Sequence, residues 1–193
     1  MKDPLSNCAY RKLPEEAIAL LRRVSAPPRL IAHLILVHDV AAALIEQIDQ
    51  AFPGLTFDRD AVLFGAAVHD IGKAIHGNES DEAGNRHDKR GLELLRAMGI
   101  PEHRARFAYT HRNWSGGNVA FEDLLVAMAD KWWKGKRIEQ LESIAADYLA
   151  RVSQKPRWTC YSMLDEILES VAKDAQARLS WQATFSLFSS RAT

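Results

Sequence analysis

The 193 residues contain only two cysteines, Cys8 and Cys160. They form no metal-ligand spacing and suggest no disulfide framework, so a reduced, cytoplasmic compartment is expected. Charge of one sign is lacking as well, since 25 Lys and Arg balance 25 Asp and Glu. Such a balance gives no reason to expect nucleic acid or a membrane surface as a partner. The opening residues, MKDPLSNCAYRKLPEE, lack the apolar core of a secretion signal. No apolar run approaches the ~20 residues of a membrane span. Repeats, low-complexity segments and strand patterns are missing too. The expectation is one all-helical domain over 1–193, long enough to bury a core.

What is present is helical periodicity broken at intervals. Pro14, Glu15 and Glu16 open a first helix, with proline and acids at its positive end. Ser25-Ala26-Pro27-Pro28 stops it. A long amphipathic helix over Arg29–Gln50 puts Leu34, His38, Ala41, Ile45 and Ile48 on one face. His33 is rotated away from that stripe and reads as a surface histidine. Asp58 or Asp60 caps the next helix, which runs to His69-Asp70. The polar stretch HGNESDEAGNR reads as a surface loop beside a site or as a plain connector. Beyond it, His87, Gly91 and Met98 share a helix face, and Gly91 leaves room for another backbone. Phe107 and His111 follow on a helix that starts at Pro101. Phe121–Lys134 is helical, and Gly135 ends it. Ile138 to Val152 and Leu164 to Leu179 mark two further helices, and residues 183–193 form an aromatic tail.

The chain turns on Ala66-Ala67-Val68-His69-Asp70-Ile71-Gly72-Lys73-Ala74. Neighbours on a helix point ~100° apart, so His69 and Asp70 can reach one ion only from a helix end. Gly72 suits such an end if it takes the left-handed conformation. A carboxylate beside Leu63, Phe64 and Val68 is costly without a compensating cation. Asp130, after the apolar LLVAMA, poses the same problem. Taken alone, the pair would favour a blander reading, a helix C-cap with a chance acid.

The ordered set His38, His69-Asp70, His87, His111 and Asp130 resembles the HD superfamily of metal-dependent phosphohydrolases over roughly Leu30–Lys136. The resemblance implies an HD-type helical bundle whose C-terminal helices, 137–182, follow the motif core. It also implies that His38, His69, Asp70 and Asp130 hold one divalent ion. His87 and His111 match the extra histidines of two-metal members, with Asp70 bridging. Imidazole and carboxylate ligands suit Mn, Fe, Mg, Ni or Zn. Lys73, one turn past Asp70, matches a phosphate-binding lysine, although a helix-end role fits it equally. Arg112, Lys131 and Arg137 are further candidates for a polyanionic substrate, and Trp114, Trp132 and Trp133 for stacking on a base or for the core.

The cyclic-dinucleotide phosphodiesterase branch carries paired histidines and a Gly-Tyr-Pro element. Here Thr110 precedes His111, Arg112 follows it, and WSGGN stands in the place of that element. The chain looks more like compact nucleotide hydrolases. The expected activity is hydrolysis of a phosphate ester or anhydride in a small metabolite, a nucleotide above all. A symmetric dinucleoside polyphosphate hydrolase is the near alternative. A non-catalytic nucleotide- or protein-binding domain with a structural metal is the distant one, and a homodimer is left open.

On this reading Asp70→Ala abolishes activity and metal occupancy while helical circular dichroism persists. Activity above a tenth of wild type would argue against Asp70 as a shared ligand, because even indirect partners of a metal cost ~10–100-fold.

Overall fold

The longest helix takes the centre. The structure, a computed structural model, describes residues 9–75, 86–116 and 119–190. α1 (Glu15–Arg23) carries acids in its first turn and Arg22 and Arg23 in its last, matching the helix dipole. Ser25, at φ 50°, turns the chain into α2 (Pro28–Ala51). Pro28 fits the first turn because its missing N–H would have no partner there anyway. α2 is long and apolar enough to cross a membrane, but 67% of its most apolar window is buried inside the molecule. Its residues enter both apolar clusters of the core.

The Asp58 carboxylate accepts a hydrogen bond of 2.9 Å from Ala61 N and starts α3 (Arg59–Val68). His69 and Asp70 follow directly, then a 3₁₀ turn, Ile71–Ala74. α4 (Arg86–Ala97) ends at Gly99, whose φ of 84° closes the turn. Two single-turn helices come next, α5 (Glu102–Ala105) and α6 (Phe107–Thr110), where one helix was expected. α7 (Phe121–Trp132) is followed by Gly135 at φ 72°. α8 (Glu139–Ser153), α9 (Arg157–Ala172) and α10 (Ala175–Ser190) complete the described chain.

Two apolar clusters meet along α2. Leu36, Val40, Leu44 and Ile48 pack with Leu125, Met128, Leu141 and Leu164 of α7, α8 and α9. Leu34 and Ile35 pack with Leu21, Phe64, Val68 and Leu95 of α1, α3 and α4. The stretch expected as one helix from Leu164 to Leu179 breaks at Lys173-Asp174. Buried Arg178 donates to the Val171 carbonyl at 2.7 Å, holding the end of α9 beside the start of α10. The break lets α10 return across α2. There Trp181 meets Tyr10 edge-on, with ring centroids 4.9 Å apart. α10 also continues through positions expected as a tail. Phe185 packs on the second cluster, whereas the side chains of Leu187 and Phe188 and the stretch 76–85 lie outside the described residues.

Gly72 is not left-handed; among the described residues only Gly54, Gly99 and Gly135 are glycines with positive φ. Its role is close approach. A Cβ there would stand 2.1 Å from the His87 carbonyl oxygen and 2.8 Å from Gly91 N. The 3₁₀ turn therefore lies directly on the backbone of α4, with Gly91 as the matching small residue. Gly72→Ala should cost about 4 kcal/mol, near the upper end for point substitutions. At this size that is about 8–16 °C in Tm. Gly54→Ala meets open space at φ 89° and should cost only the ~1–2 kcal/mol of a left-handed backbone. Equal melting shifts in the two variants would contradict the close-approach account.

Candidate metal centre

Five segments deliver polar side chains to one edge of the core. The first group is His33, His69, Asp70 and Asp130. His33 Nε2 lies 3.2 Å from His69 Nε2, 3.2 Å from Asp70 Oδ2 and 3.4 Å from Asp130 Oδ1. His69 Nε2 lies 3.4 Å from Asp130 Oδ1 and 3.7 Å from Asp70 Oδ2. Ligand atoms each ~2.1 Å from one ion stand roughly 3.0–3.4 Å from one another, so the spacing fits a single cation.

The proton positions support that fit. His69 Nδ1 lies 3.0 Å from the Ala66 carbonyl, which can only accept, so Nδ1 carries the hydrogen. Nε2 is then the nitrogen left to face the two carboxylates, and it is the atom a cation would meet. His111 repeats the device through the Phe107 carbonyl at 3.0 Å. Orienting the ring through its far nitrogen is how proteins usually prepare a metal-binding imidazole.

The second group is Asp70, His87 and Asp88, with His111 alongside. His111 Nε2 stands 3.7 Å from Asp70 Oδ1 and 3.8 Å from Asp88 Oδ1. His87 Nε2 is 4.0 Å from Asp70 Oδ1 and 3.0 Å from Asp88 Oδ1. Asp70 Oδ1 and both Asp88 oxygens are buried without a hydrogen-bond partner among the described residues. Asp70 thus turns one oxygen to each group, the geometry a bridging carboxylate requires.

Electrostatics mark the same residues. Burial alone would raise the Asp70 carboxyl, but His69, His33 and His111 hold it well below the usual range. Burial likewise opposes Asp130, and its hydrogen bonds with His33 and His69 bring it well below. Burial pushes His111 down to about 3, with His69 adding to the effect. Asp88 is raised, chiefly by burial, against the pull of His87 and Arg112.

His38, expected as a ligand, is not in either group. It is buried in the apolar interior, its Nδ1 has no hydrogen-bond partner among the described residues, and burial pushes it down to about 4. His33 stands in its place. The two rings are five residues apart on one helix, hence ~140° apart in direction. The core-facing stripe was read correctly for His38, but the centre lies at a cleft rather than in the core. A ligand there keeps some exposure, 14% for the His33 side chain. His33 also meets Trp133 edge-on at 5.3 Å.

Sequence reasoning missed Asp88 although a signal was there. The chain has three His-Asp dipeptides, at 38–39, 69–70 and 87–88. In the first, Asp39 Oδ1 is taken by Arg11, from the backbone N at 3.1 Å and from Nη1 at 3.2 Å.

Among the expected substrate contacts, Lys73 Nζ donates to Asp70 Oδ2 at 2.7 Å and Lys131 Nζ to Asp130 Oδ2 at 2.5 Å. Arg112 Nη1 donates to His87 Nε2 at 3.2 Å. All three line a cleft of about 930 Å³ that opens on His33, Asp70, His111 and Asp130. Arg137 does not. It holds Glu142 and Asp165, each at 2.7 Å, and ties α8 to α9. Closeness to Asp130 in sequence misled here, because the chain turns at Gly135. Of the tryptophans, Trp132 is core, Trp114 packs against it, and Trp133 lines the cleft.

A family model described as HD domain matches residues 30–157. The chain belongs to the HD domain family. A search of curated proteins finds no significant match, and neither does a search of solved structures. HD domains are in general metal-dependent phosphohydrolases, and the His/Asp cluster of this one can hold a metal ion.

In this HD domain His33→Ala should remove most of the bound metal, whereas His38→Leu should leave it in place, as metal analysis of both proteins would show. His38 also makes a pH test. Its folded pKa of about 4 lies below the ordinary 6.5, so the unfolded chain takes up the proton first as pH falls. Stability from this group is complete above about 6.5 and is lost progressively down to about 4, on the order of 3 kcal/mol. His38→Leu should flatten that part of the stability profile. Loss of metal in His38→Leu would overturn the assignment.

Proposed function

We propose that this HD domain hydrolyses a phosphate ester or anhydride of a small metabolite, with a nucleotide as the favoured class and water as the nucleophile. One observation carries the reading: imidazole nitrogens and carboxylates of separate helices converge on a point that opens into a cationic cleft. Residues fit to hold an ion there are His33, His69, Asp70 and Asp130, with His87, Asp88 and His111 for a second. A bound divalent ion supplies a lowered water pKa and charge stabilisation at phosphoryl oxygens.

The chain's own residues do the rest. Asp70 and Asp130 are ionised at neutral pH, so neither donates a proton to a leaving group. That proton comes from a lysine ammonium or from solvent. Lys73 and Lys131 each sit on a carboxylate oxygen of the centre, where an arriving phosphoryl group meets their N–H donors. Charged donors of this kind are roughly twice as strong as neutral ones. Arg112 stands by the second group and offers a planar fork to the same oxygens. Leu30 and Trp133 give the cleft apolar surface, suited to a base or sugar. The cleft, at about 930 Å³, lies within the ~300–1,000 Å³ usual for small-molecule sites.

Protein purified without chelators should contain a divalent metal, and stripping and restoring it should abolish and recover hydrolysis on a panel of nucleotides that includes diadenosine tetraphosphate. Absence of metal together with no metal-restored turnover would overturn the catalytic reading. Tight binding of nucleotides that remain intact with Mn, Fe, Ni or Mg would leave a binding domain.

A further inference from the structure

Two of the cleft's cations are unused by the centre. Five basic residues line it, Arg29, Lys73, Arg112, Lys131 and Lys134, against only two acids, Asp70 and Asp130. Lys73 and Lys131 bond those acids, and Arg112 faces His87 and Asp88. Arg29 makes no ion pair or hydrogen bond among the described residues. Lys134 has only the face of Trp133, 5.7 Å from its ring centroid.

Their positions follow from helix geometry. Arg29 lies four residues before His33 on α2, so it stands on the same face, ~6 Å along the axis. Lys134 lies four residues after Asp130, one turn beyond it at the end of α7. The edge-on contact of Trp133 with His33 brings the end of α7 against the first turns of α2. Both free cations therefore flank one mouth, each about a turn from a residue of the centre. Leu30, Trp133 and, from α10, Leu179 add apolar surface to the same cleft. α10 lies beyond the matched residues 30–157.

We infer that Arg29 and Lys134 form a second phosphate subsite, and that the substrate carries a second phosphate separated by an apolar spacer from the one at the centre. The inference rests on the reading that the centre receives a phosphoryl group. Charge supports it. One phosphoryl group is already met by the centre with Lys73, Lys131 and Arg112, and the two remaining positive charges, Arg29 and Lys134, are matched by a second dianion. Unpaired cations in a cleft without opposing acids attract such a group from a distance, in a salt-dependent way.

The test uses alkane-α,ω-bisphosphonates of graded chain length and alkyl monophosphonates of the same lengths, none of which a phosphatase cleaves. Affinities are measured by calorimetry on the metal-loaded protein. At the best length the bisphosphonate should bind about tenfold more tightly than its monophosphonate, equivalent to one charge-assisted contact. That ratio should fall toward one in Arg29→Gln with Lys134→Gln, and rising salt should lower it. No preference at any length, or a variant that weakens both ligands equally, overturns the subsite. Metal removal gives a separate result: if it leaves both affinities unchanged while the ratio stands, the reading of the centre fails and the subsite survives.

Discussion

Carboxylates brought together in a nearly buried place repel, and holding them there is the constraint on which this structure depends. Asp70 and Asp130 are nearly buried, and Nε2 of His69 faces both. Unpaired ionised groups in such a place cost several kcal/mol each. The fold therefore spends its strongest local devices there. Backbone carbonyls of Ala66 and Phe107 orient the rings of His69 and His111, and Lys73 and Lys131 each donate to one oxygen of a carboxylate. The remaining attraction is directed at a small cation. The capacity to hold a metal ion and the tight packing around the cluster are two aspects of one electrostatic arrangement.

Much of this was legible in the sequence. An acid after LLVAMA and a His-Asp pair at the end of an apolar helix are anomalies that periodicity exposes, and both reached the centre. The failures share a cause. Periodicity reports which side of a helix faces apolar neighbours, and His38 does face them. It does not report where along the helix the core gives way to a cleft, and His33 sits at that edge. Arg137 failed because nearness along the chain was taken for nearness in space across a turn. Asp88 was overlooked because its partner His87 had already been assigned.

The fold was read more fully than the site, because element type depends on local pattern and the site on how elements meet. α1 to α4, α7 and α8 could be placed within a few residues. The break at Lys173-Asp174 has no proline or glycine to announce it. It is set by a tertiary contact, buried Arg178 on the Val171 carbonyl, that no local pattern encodes. Gly72 shows the same limit in smaller form: its place near a helix end suggested a backbone conformation, while the real demand comes from α4, a segment remote in sequence.

The contact between Gly72 and Gly91 joins main chain to main chain, with no side chain between as a cushion. Asp70 sits two residues from one side of that joint, and His87 and Asp88 sit within one turn of the other. The spacing between the two halves of the centre is consequently set by covalent geometry and van der Waals radii, quantities that repacking elsewhere does not change. The joint behaves as a fixed hinge pin with no play. Adjustment of the cleft to substrates of different girth falls instead to the walls built from side chains, those of α10 and the end of α7. Drift in those walls can alter what the cleft admits while the gauge of the centre stays constant.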